Sequence, residues 1–429
     1  MGISMVVSCA VKSSLALCLT AGLAQGAITF GPASTFAAAE RPDGIASADF
    51  NGDGFMDLAV TTDTPDRVQI RLGNSTGGFG AASLFAMPSG SGPGAIASGD
   101  FDGDGDQDLA IVLKNSARVG IMSNNGSGFF VMGALNATGA NPIAIVASDL
   151  DRDGDLDLVT ADRDSSTLTV LRNNGAGVLS TSTIPAGDEP KGIDAADLNG
   201  DTFPDLVSSS SRDRTIRVAM SVGGTAFATP VAYPVGVQVR PEGIALADMN
   251  GDGRTDIVAS ASGSGLNQVL TLAQLAGGGF SAPVAVATGG LNPSAILAAD
   301  FDLDGDKDVV VANQDSANLT ILTTTGGALG AAALLASGVS PSNLAVARFN
   351  ADGMVDLAVS NRDSNTVGVY LNGGTPPCRA DVNFDGVVDL FDYLDFVAQF
   401  SAGTADFNAD GITDFFDYLD FVSIFASGC

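Results

Sequence analysis

Short apolar runs alternate with glycine-rich polar turns through most of this chain, and the alternation repeats as a unit. An apolar strand such as Gly44–Ala48 leads into an acidic loop, and a second apolar strand, such as Asp57–Val60, leaves it. A polar turn follows, as at Asp162–Ser166 or Asn361–Asn365. Then come an alternating strand such as Thr167–Leu171, a glycine-rich turn and a fourth segment such as Phe280–Ala287. The acidic loops are nonapeptides beginning at Asp49, Asp100, Asp149, Asp197, Asp248, Asp300 and Arg348, at intervals of 48 to 52 residues. Seven positions before each lies a proline: Pro42, Pro93, Pro142, Pro190, Pro241, Pro293 and Pro341. Four positions before each lies Ile45, Ile96, Ile145, Ile193, Ile244, Ile296 or Leu344.

Four antiparallel strands per unit make the blade of a β-propeller, and seven blades close a ring with no free edge. The fold class expected is therefore mainly β, a seven-bladed β-propeller over residues 27–373. The seventh unit ends after its third strand at Val367–Leu371, while Ile28–Ala33 resembles the fourth segments beginning at Gly78 and Gly279. The start of the mature chain is thus expected to supply the missing outer strand of the last blade.

Composition narrows the chemistry. Of 429 residues, 49 are acidic and 19 basic, giving a formal net charge of −30, and there is no histidine or tryptophan. Such a field repels nucleic acid and anionic lipid and favours divalent cations. Without histidine, Ser-His-Asp and Cys-His catalysis and imidazole zinc sites are excluded. Residues 1–26 read as a secretory signal: Lys12, an apolar stretch Leu15–Leu23, then small residues Ala24 and Gly26. No other stretch nears the roughly 18 apolar residues needed to cross a bilayer, so no transmembrane segment is expected in the mature chain. Export leaves Cys378 and Cys429, for which a single disulfide is the default in an oxidising compartment.

Side-chain oxygens at loop positions 1, 3, 5 and 9, with glycine at 6 and a backbone carbonyl at 7, suit a hard cation wrapped by a short loop. Calcium fits better than magnesium, which keeps its waters. The candidate ligands are Asp49, Asn51, Asp53 and Asp57 in the first loop, and Asp100, Asp102, Asp104 and Asp108 in the second. Asp149, Asp151, Asp153 and Asp157 follow in the third, and Asp197, Asn199, Asp201 and Asp205 in the fourth. The fifth offers Asp248, Asn250, Asp252 and Asp256, and the sixth Asp300, Asp302, Asp304 and Asp308. An isolated Asp-Gly cluster is an ordinary turn; six acid-complete copies in register are a metal pattern. Copy four carries Thr202 in place of the turn glycine, which predicts weaker binding. Copy seven carries Arg348 first, and its guanidinium is expected to pair with Asp352 or Asp356 in place of an ion.

These loops resemble the FG-GAP/VCBS repeat family, whose calcium-binding propellers occur in bacterial secreted proteins and in integrin α subunits. The resemblance covers residues 28–372 and implies calcium in interstrand loops on one face of the propeller. It says less of activity, since the family serves adhesion, recognition and scaffolding.

After a linker at residues 374–377 the composition turns aromatic. Two twelve-residue loops with EF-hand spacing follow: Asp381, Asn383, Asp385, Asp389 and Asp392, then Asp406, Asn408, Asp410, Asp414 and Asp417. Each continues into a helical stripe, Tyr393, Phe396, Val397 and Phe400, or Tyr418, Phe421, Val422 and Phe425, expected to form the core between two helices. A duplicated calcium loop with one helix per copy resembles a dockerin, and Cys378 with the closing Gly428-Cys429 is similar to the GC type, covering residues 378–429. The resemblance implies a partner surface at loop positions 10 and 11, here Leu390, Phe391, Phe415 and Phe416. That apolar pair departs from the polar one usual in cellulosomal dockerins, and so implies a hydrophobic cohesin-like or cell-surface partner. A Cys378–Cys429 bridge would staple this small domain.

A secreted, extracellular or cell-surface binding or adhesion propeller is the function expected. It would hold an unknown protein or glycan at the face opposite the acidic loops, with no nucleic-acid partner. The charges expected there include Arg41, Asp43, Glu189, Lys191, Arg240 and Glu242 at the first strands, with Asp162, Arg163, Asp164, Arg212, Asp213, Arg362 and Asp363 at the second turns. Asp194 stands where every other copy is apolar and is expected to line the central channel. A polysaccharide lyase or glycosidase and a passive spacer are the alternatives. No catalytic pair stands out, and four tyrosines without tryptophan provide little for sugar stacking. The chain is therefore read as a non-enzyme.

Overall fold

The computed structural model describes residues 28–175, 177–374, 390–402 and 415–427. The signal-like segment, Cys378, Cys429 and the C-terminal loops 381–389 and 406–414 lie outside them, as do the side chains of Phe391, Asp392, Phe416 and Asp417. The chain divides into two compact units, one holding the sheets and one the two helices.

Seven four-stranded antiparallel sheets are the seven expected blades. Blade one is Glu40–Ala48, Asp57–Thr64, Asp66–Arg71 and Ser83–Ala86; the others follow in chain order, numbered by their acidic loops. The first strand of every blade packs against the first strands of both neighbours, so these strands form a closed inner ring. Five begin at the proline, those of blades one and five two residues before it, and each carries a bulge just after the proline, as between Pro42 and Ile45. Proline has no N–H to give a ladder and therefore sits at the strand start or at a bulge.

Blade seven is Pro341–Ala347, Asp356–Asn361, Thr366–Tyr370 and, from the other end of the chain, Ser34–Ala37. Ser34 pairs with Val369 and Phe36 with Val367, which is the ring closure expected. The strand itself lies just beyond the segment predicted: Phe30 makes an isolated bridge to Asn372, as Phe79 does to Gly73 and Phe280 to Gln274. The Gly-Phe signature marks the turn into the fourth strand, and strands such as Val284–Ala287 are short in consequence. Small hairpins in blades four and six, Ser221–Phe227 and Thr324–Leu329, are additions that the repeat pattern did not announce.

The core lies between blades. The second residue of each acidic loop, Phe50, Phe101, Leu150, Leu198, Met249, Phe301 or Phe349, is buried in it. Backbones come close near the axis: a Cβ on Gly44 would sit 2.4 Å from the Gly94 carbonyl oxygen, so only glycine fits there. Hydroxyls stitch adjacent blades at the same level. Thr61 Oγ1 accepts from Gly44 N (2.8 Å) and donates to Gly94 O (2.7 Å), and Ser209 Oγ repeats this between Gly192 N and Glu242 O.

Asp194 lies in this ring. It accepts the N–H of Ala195 (2.8 Å) and, across to blade five, that of Leu246 (3.0 Å). Enclosure by the inner strands outweighs those two bonds and pushes its carboxyl up to about 6. An acid raised in the folded state binds its proton more tightly there than in the unfolded chain. Its contribution to stability therefore falls as pH rises from about 4 to about 6 and is flat above. Relative to Asp194→Asn, the native chain should lose about 2–3 kcal/mol between pH 4 and pH 7, read by urea unfolding of both. A difference that does not move with pH would exclude this burial.

The helices α1, Leu390–Ala402, and α2, Phe415–Ser427, pack on each other through Phe396 and Phe421, whose rings stack at 4.0 Å and 3°. Tyr393, Phe400, Tyr418, Val422 and Phe425 surround them, as the stripe predicts. Val397 departs from it and is exposed, because it falls on the outer side with Leu390 and Leu394. Among the described residues no helix is long and apolar enough to cross a membrane.

Candidate metal centre

The seven acidic loops join the first strand of each blade to the second, so all lie on one face of the ring. In the six loops that begin with aspartate, the loop wraps its own first carboxylate. Oδ2 accepts the sixth-position N–H at 2.7–3.1 Å. In five of them Oδ1 accepts the fourth-position N–H at 2.7–2.8 Å. For Asp197 and Asp248 these amides outweigh the effect of burial and hold the carboxyl below its ordinary range. Carboxylate oxygens have lone pairs left for a cation after such bonds.

The sixth residue adopts a left-handed backbone, with φ from 79° to 97° at the glycines. Thr202 in loop four does the same at φ 76°, and Asp197 still receives its N–H. The departure noted in the sequence therefore leaves the turn intact; its cost is strain, about 1–2 kcal/mol for a β-branched residue held there.

Three loops bring three carboxylates within 4.8 Å of one another: Asp100, Asp102 and Asp108; Asp149, Asp151 and Asp153; Asp300, Asp302 and Asp304. Asp102 Oδ1 and Asp151 Oδ1 are buried without a hydrogen-bond partner. In loop two, where no ion pair reaches the set among the described residues, gathered hard oxygens with an orphaned buried acceptor fit a divalent cation. In loops one and four, where asparagine takes position three, its amide donates to the position-five carboxylate, Asn51 to Asp53 (2.9 Å) and Asn199 to Asp201 (3.1 Å). In loop five Asn250 donates to Asp256 (3.0 Å), while Arg254 pairs with Asp252. The C-terminal candidates Asp381 to Asp389 and Asp406 to Asp414 lie outside the described residues.

The ninth position has a second role, which sequence reasoning missed. Asp57, Asp108, Asp157, Asp205, Asp256, Asp308 and Asp356 are all fully buried. Each accepts the loop's second N–H at 2.8–3.2 Å. Each also accepts an N–H at or just past the end of the third strand at 2.6–2.9 Å. Burial pushes Asp57 and Asp108 up to about 6 against those bonds. Beside this anchor, Asn124, Asn173 and Asn372 reach back to the preceding blade, donating to Phe50 O, Phe101 O and Phe301 O at 2.7–2.8 Å. Gln274 does the same to Leu198 O.

Arg348 does not stand in for an ion. It is exposed and forms no ion pair among the described residues; Asp352 is held by Asn350 at 2.8 Å, and Asp356 by backbone amides. A guanidinium has only donors to offer, so it cannot accept the loop's N–H groups as aspartate does, and it turns out to solvent.

On the opposite face most of the charges noted in the sequence are in ion pairs, with one another or with neighbouring charges. Lys114 pairs with Asp43 and Lys191 with Glu242 (2.7 Å) across neighbouring blades. Asp63 meets both Arg41 (3.9 Å) and Arg362 (3.6 Å) where blades one and seven join. Asp162 is internal, accepting the hydroxyls of Thr160, Thr167 and Thr169. Arg240 is exposed and, like Arg214, belongs to no ion pair among the described residues. Both line a cavity of about 650 Å³ with Gln238, Ser262, Asn267 and Asp315.

Comparison with known proteins gives one family: the profile described as FG-GAP-like repeat matches residues 49–111, 149–208, 248–311 and 300–359, more than half of the chain. No curated protein matches significantly. Among solved structures, a chain of the lead-soaked crystal structure of BBS1N in complex with ARL6DN superposes with a TM-score of 0.54 at 14% identity, covering 80% of this chain and 97% of that one. A protein from Lactobacillus plantarum superposes with a TM-score of 0.53 at 16% identity, covering 70% of this chain and 86% of that one. At such identities the likeness is one of fold.

Proposed function

The chain belongs to the FG-GAP-like repeat family, and from that premise we propose that it is a secreted, calcium-stabilised binding module. Its acidic loops would hold calcium through the side-chain oxygens at positions 1, 3, 5 and 9, where the ion would cancel the mutual repulsion of the carboxylates. The observation that carries the binding role is the cavity beside Arg240. Where neighbouring charges on that face are matched across blades, Arg214 and Arg240 border an open polar hollow with amide and hydroxyl groups. That suits an anionic or hydroxyl-rich protein or glycan ligand.

The helix pair supports an attachment role. Leu390 and Leu394 on α1 and their equivalents Phe415 and Leu419 on α2 are exposed, with Val397 exposed on α1 alone, an apolar surface that a cohesin-like or cell-surface protein would cover. Lyase or glycosidase activity has no supporting pair of carboxylates on the hollow.

Glycan and protein arrays probed with the full chain, with and without EDTA, test the binding role. A ligand captured by the native chain should be lost, by tenfold or more, from Arg240→Ala. Capture of nothing would leave the spacer reading in its place, and capture indifferent to Arg240→Ala would move the site elsewhere.

A further inference from the structure

Blade three differs from the other acid-complete blades in one residue beside its loop. Arg172 directly precedes Asn173, whose N–H bonds the ninth-position aspartate; other blades place Leu72, Ser123, Met220, Ala273, Thr323 or Leu371 there. Its side chain is largely buried, and Nη1 lies 2.7 Å from Asp157 Oδ2 and 3.6 Å from Asp151 Oδ2. The guanidinium thus sits against the third- and ninth-position carboxylates at once. Nη2 donates to Gly224 O at 2.5 Å, and the group lies 5.9 Å from the Phe227 ring centre, both in the hairpin of blade four.

We propose that Arg172 is a built-in cation that takes the place of the divalent ion in blade three. Loop two gathers Asp100 and Asp102 with its ninth-position Asp108, while loops three and six gather positions 1, 3 and 5. In loop three alone of these, among the described residues, an arginine, Arg172, binds the ninth-position carboxylate, Asp157, and also reaches Asp151. A fixed positive charge on Asp151 and Asp157 removes two carboxylates from a set that must supply most of six or seven oxygens, and adds repulsion to an incoming ion. The same guanidinium ties the loop to blade four through Gly224 in a way an exchangeable ion would not. Blade three would therefore keep its neutralised form when external calcium falls. This inference rests on the calcium reading of the other loops.

The test is a count of bound ions on the full chain, by elemental analysis and calorimetric titration from chelator-treated stocks. Arg172→Leu frees Asp151, whose Oδ1 is already without a partner, and should bind one calcium more than the native chain. The reciprocal Ser123→Arg, which places the cation beside loop two, should bind one fewer, and it keeps the proposal testable if Arg172→Leu fails to fold. Calcium binding by the native chain with no change of count in a folded variant would overturn the role of Arg172 alone. A native chain that binds no calcium would overturn the calcium reading and this inference with it.

Discussion

A chain shortened to begin at Ala38 is expected to lose its cooperative unfolding transition and to associate into multimers. The missing residues complete blade seven. Ser34–Ala37 covers the third strand, Gly31 N donates to Leu371 O (2.9 Å), and Gly373 N donates to Thr29 O (2.7 Å). Phe30 packs edge-on against Phe301 of blade six at 5.7 Å, and Phe36 meets Phe79 of blade one at 5.9 Å beneath the Arg71 guanidinium. The segment thus holds three blades at the seam of the ring. Losing two large aromatic contacts at about 1.5–3 kcal/mol each, with a strand of ladder bonds, removes much of a typical domain's net stability. It also leaves Thr366–Tyr370 as an open edge ready to pair with another chain. Thermal unfolding followed by light scattering reads both effects, and a peptide of residues 28–38 added in trans should restore the monomer. An unchanged midpoint with a monomeric shortened chain would mean that the ring closes elsewhere.

The repeat made the blades, their number and their closure legible, because each signal is local. Proline, the apolar anchor and the acidic loop recur in fixed register within a dozen residues, and sequence order alone then sets the ring. The contacts that span blades were hidden for the opposite reason. Asn124 reaches Phe50 O and Asn372 reaches Phe301 O over 70 or more residues, a pairing with no meaning until the blades are known to be neighbours. Lys191 and Glu242 likewise read as solvent-facing charges, and only the ring brings them to 2.7 Å. The candidate metal loops were read from oxygen spacing, which is blind to which oxygens the loop's own amides already occupy. One clue lay in the seventh copy: Arg348 replaces the first acid while Asp356 is kept, so the ninth acid serves something that does not need the first. Arg172 had no such clue, since an arginine at the end of a strand reads as an ordinary exposed residue. Only its approach to Asp151 and Asp157 gives it a role.

Blade seven separates the two duties of the ninth-position acid, because its loop lacks the first carboxylate. Asp356 is fully buried and accepts Phe349 N and Asn372 N, each at 2.8 Å. Burial pushes its carboxyl up against those bonds, so removing the charge returns some free energy. Removing the acceptor strands two buried N–H groups, each costing about 1–3 kcal/mol, and the second effect exceeds the first. Asp356→Ala is thus expected to destabilise the chain by about 2–4 kcal/mol in urea unfolding. Asp352→Ala, which alters an exposed side chain in the same loop, should cost less than about 1 kcal/mol. The loss at Asp356 should be the same with calcium and with EDTA, since it comes from backbone amides rather than from an ion. A loss that appears only with calcium present would make Asp356 a ligand instead. It would also extend metal binding to a loop whose first position carries a positive charge.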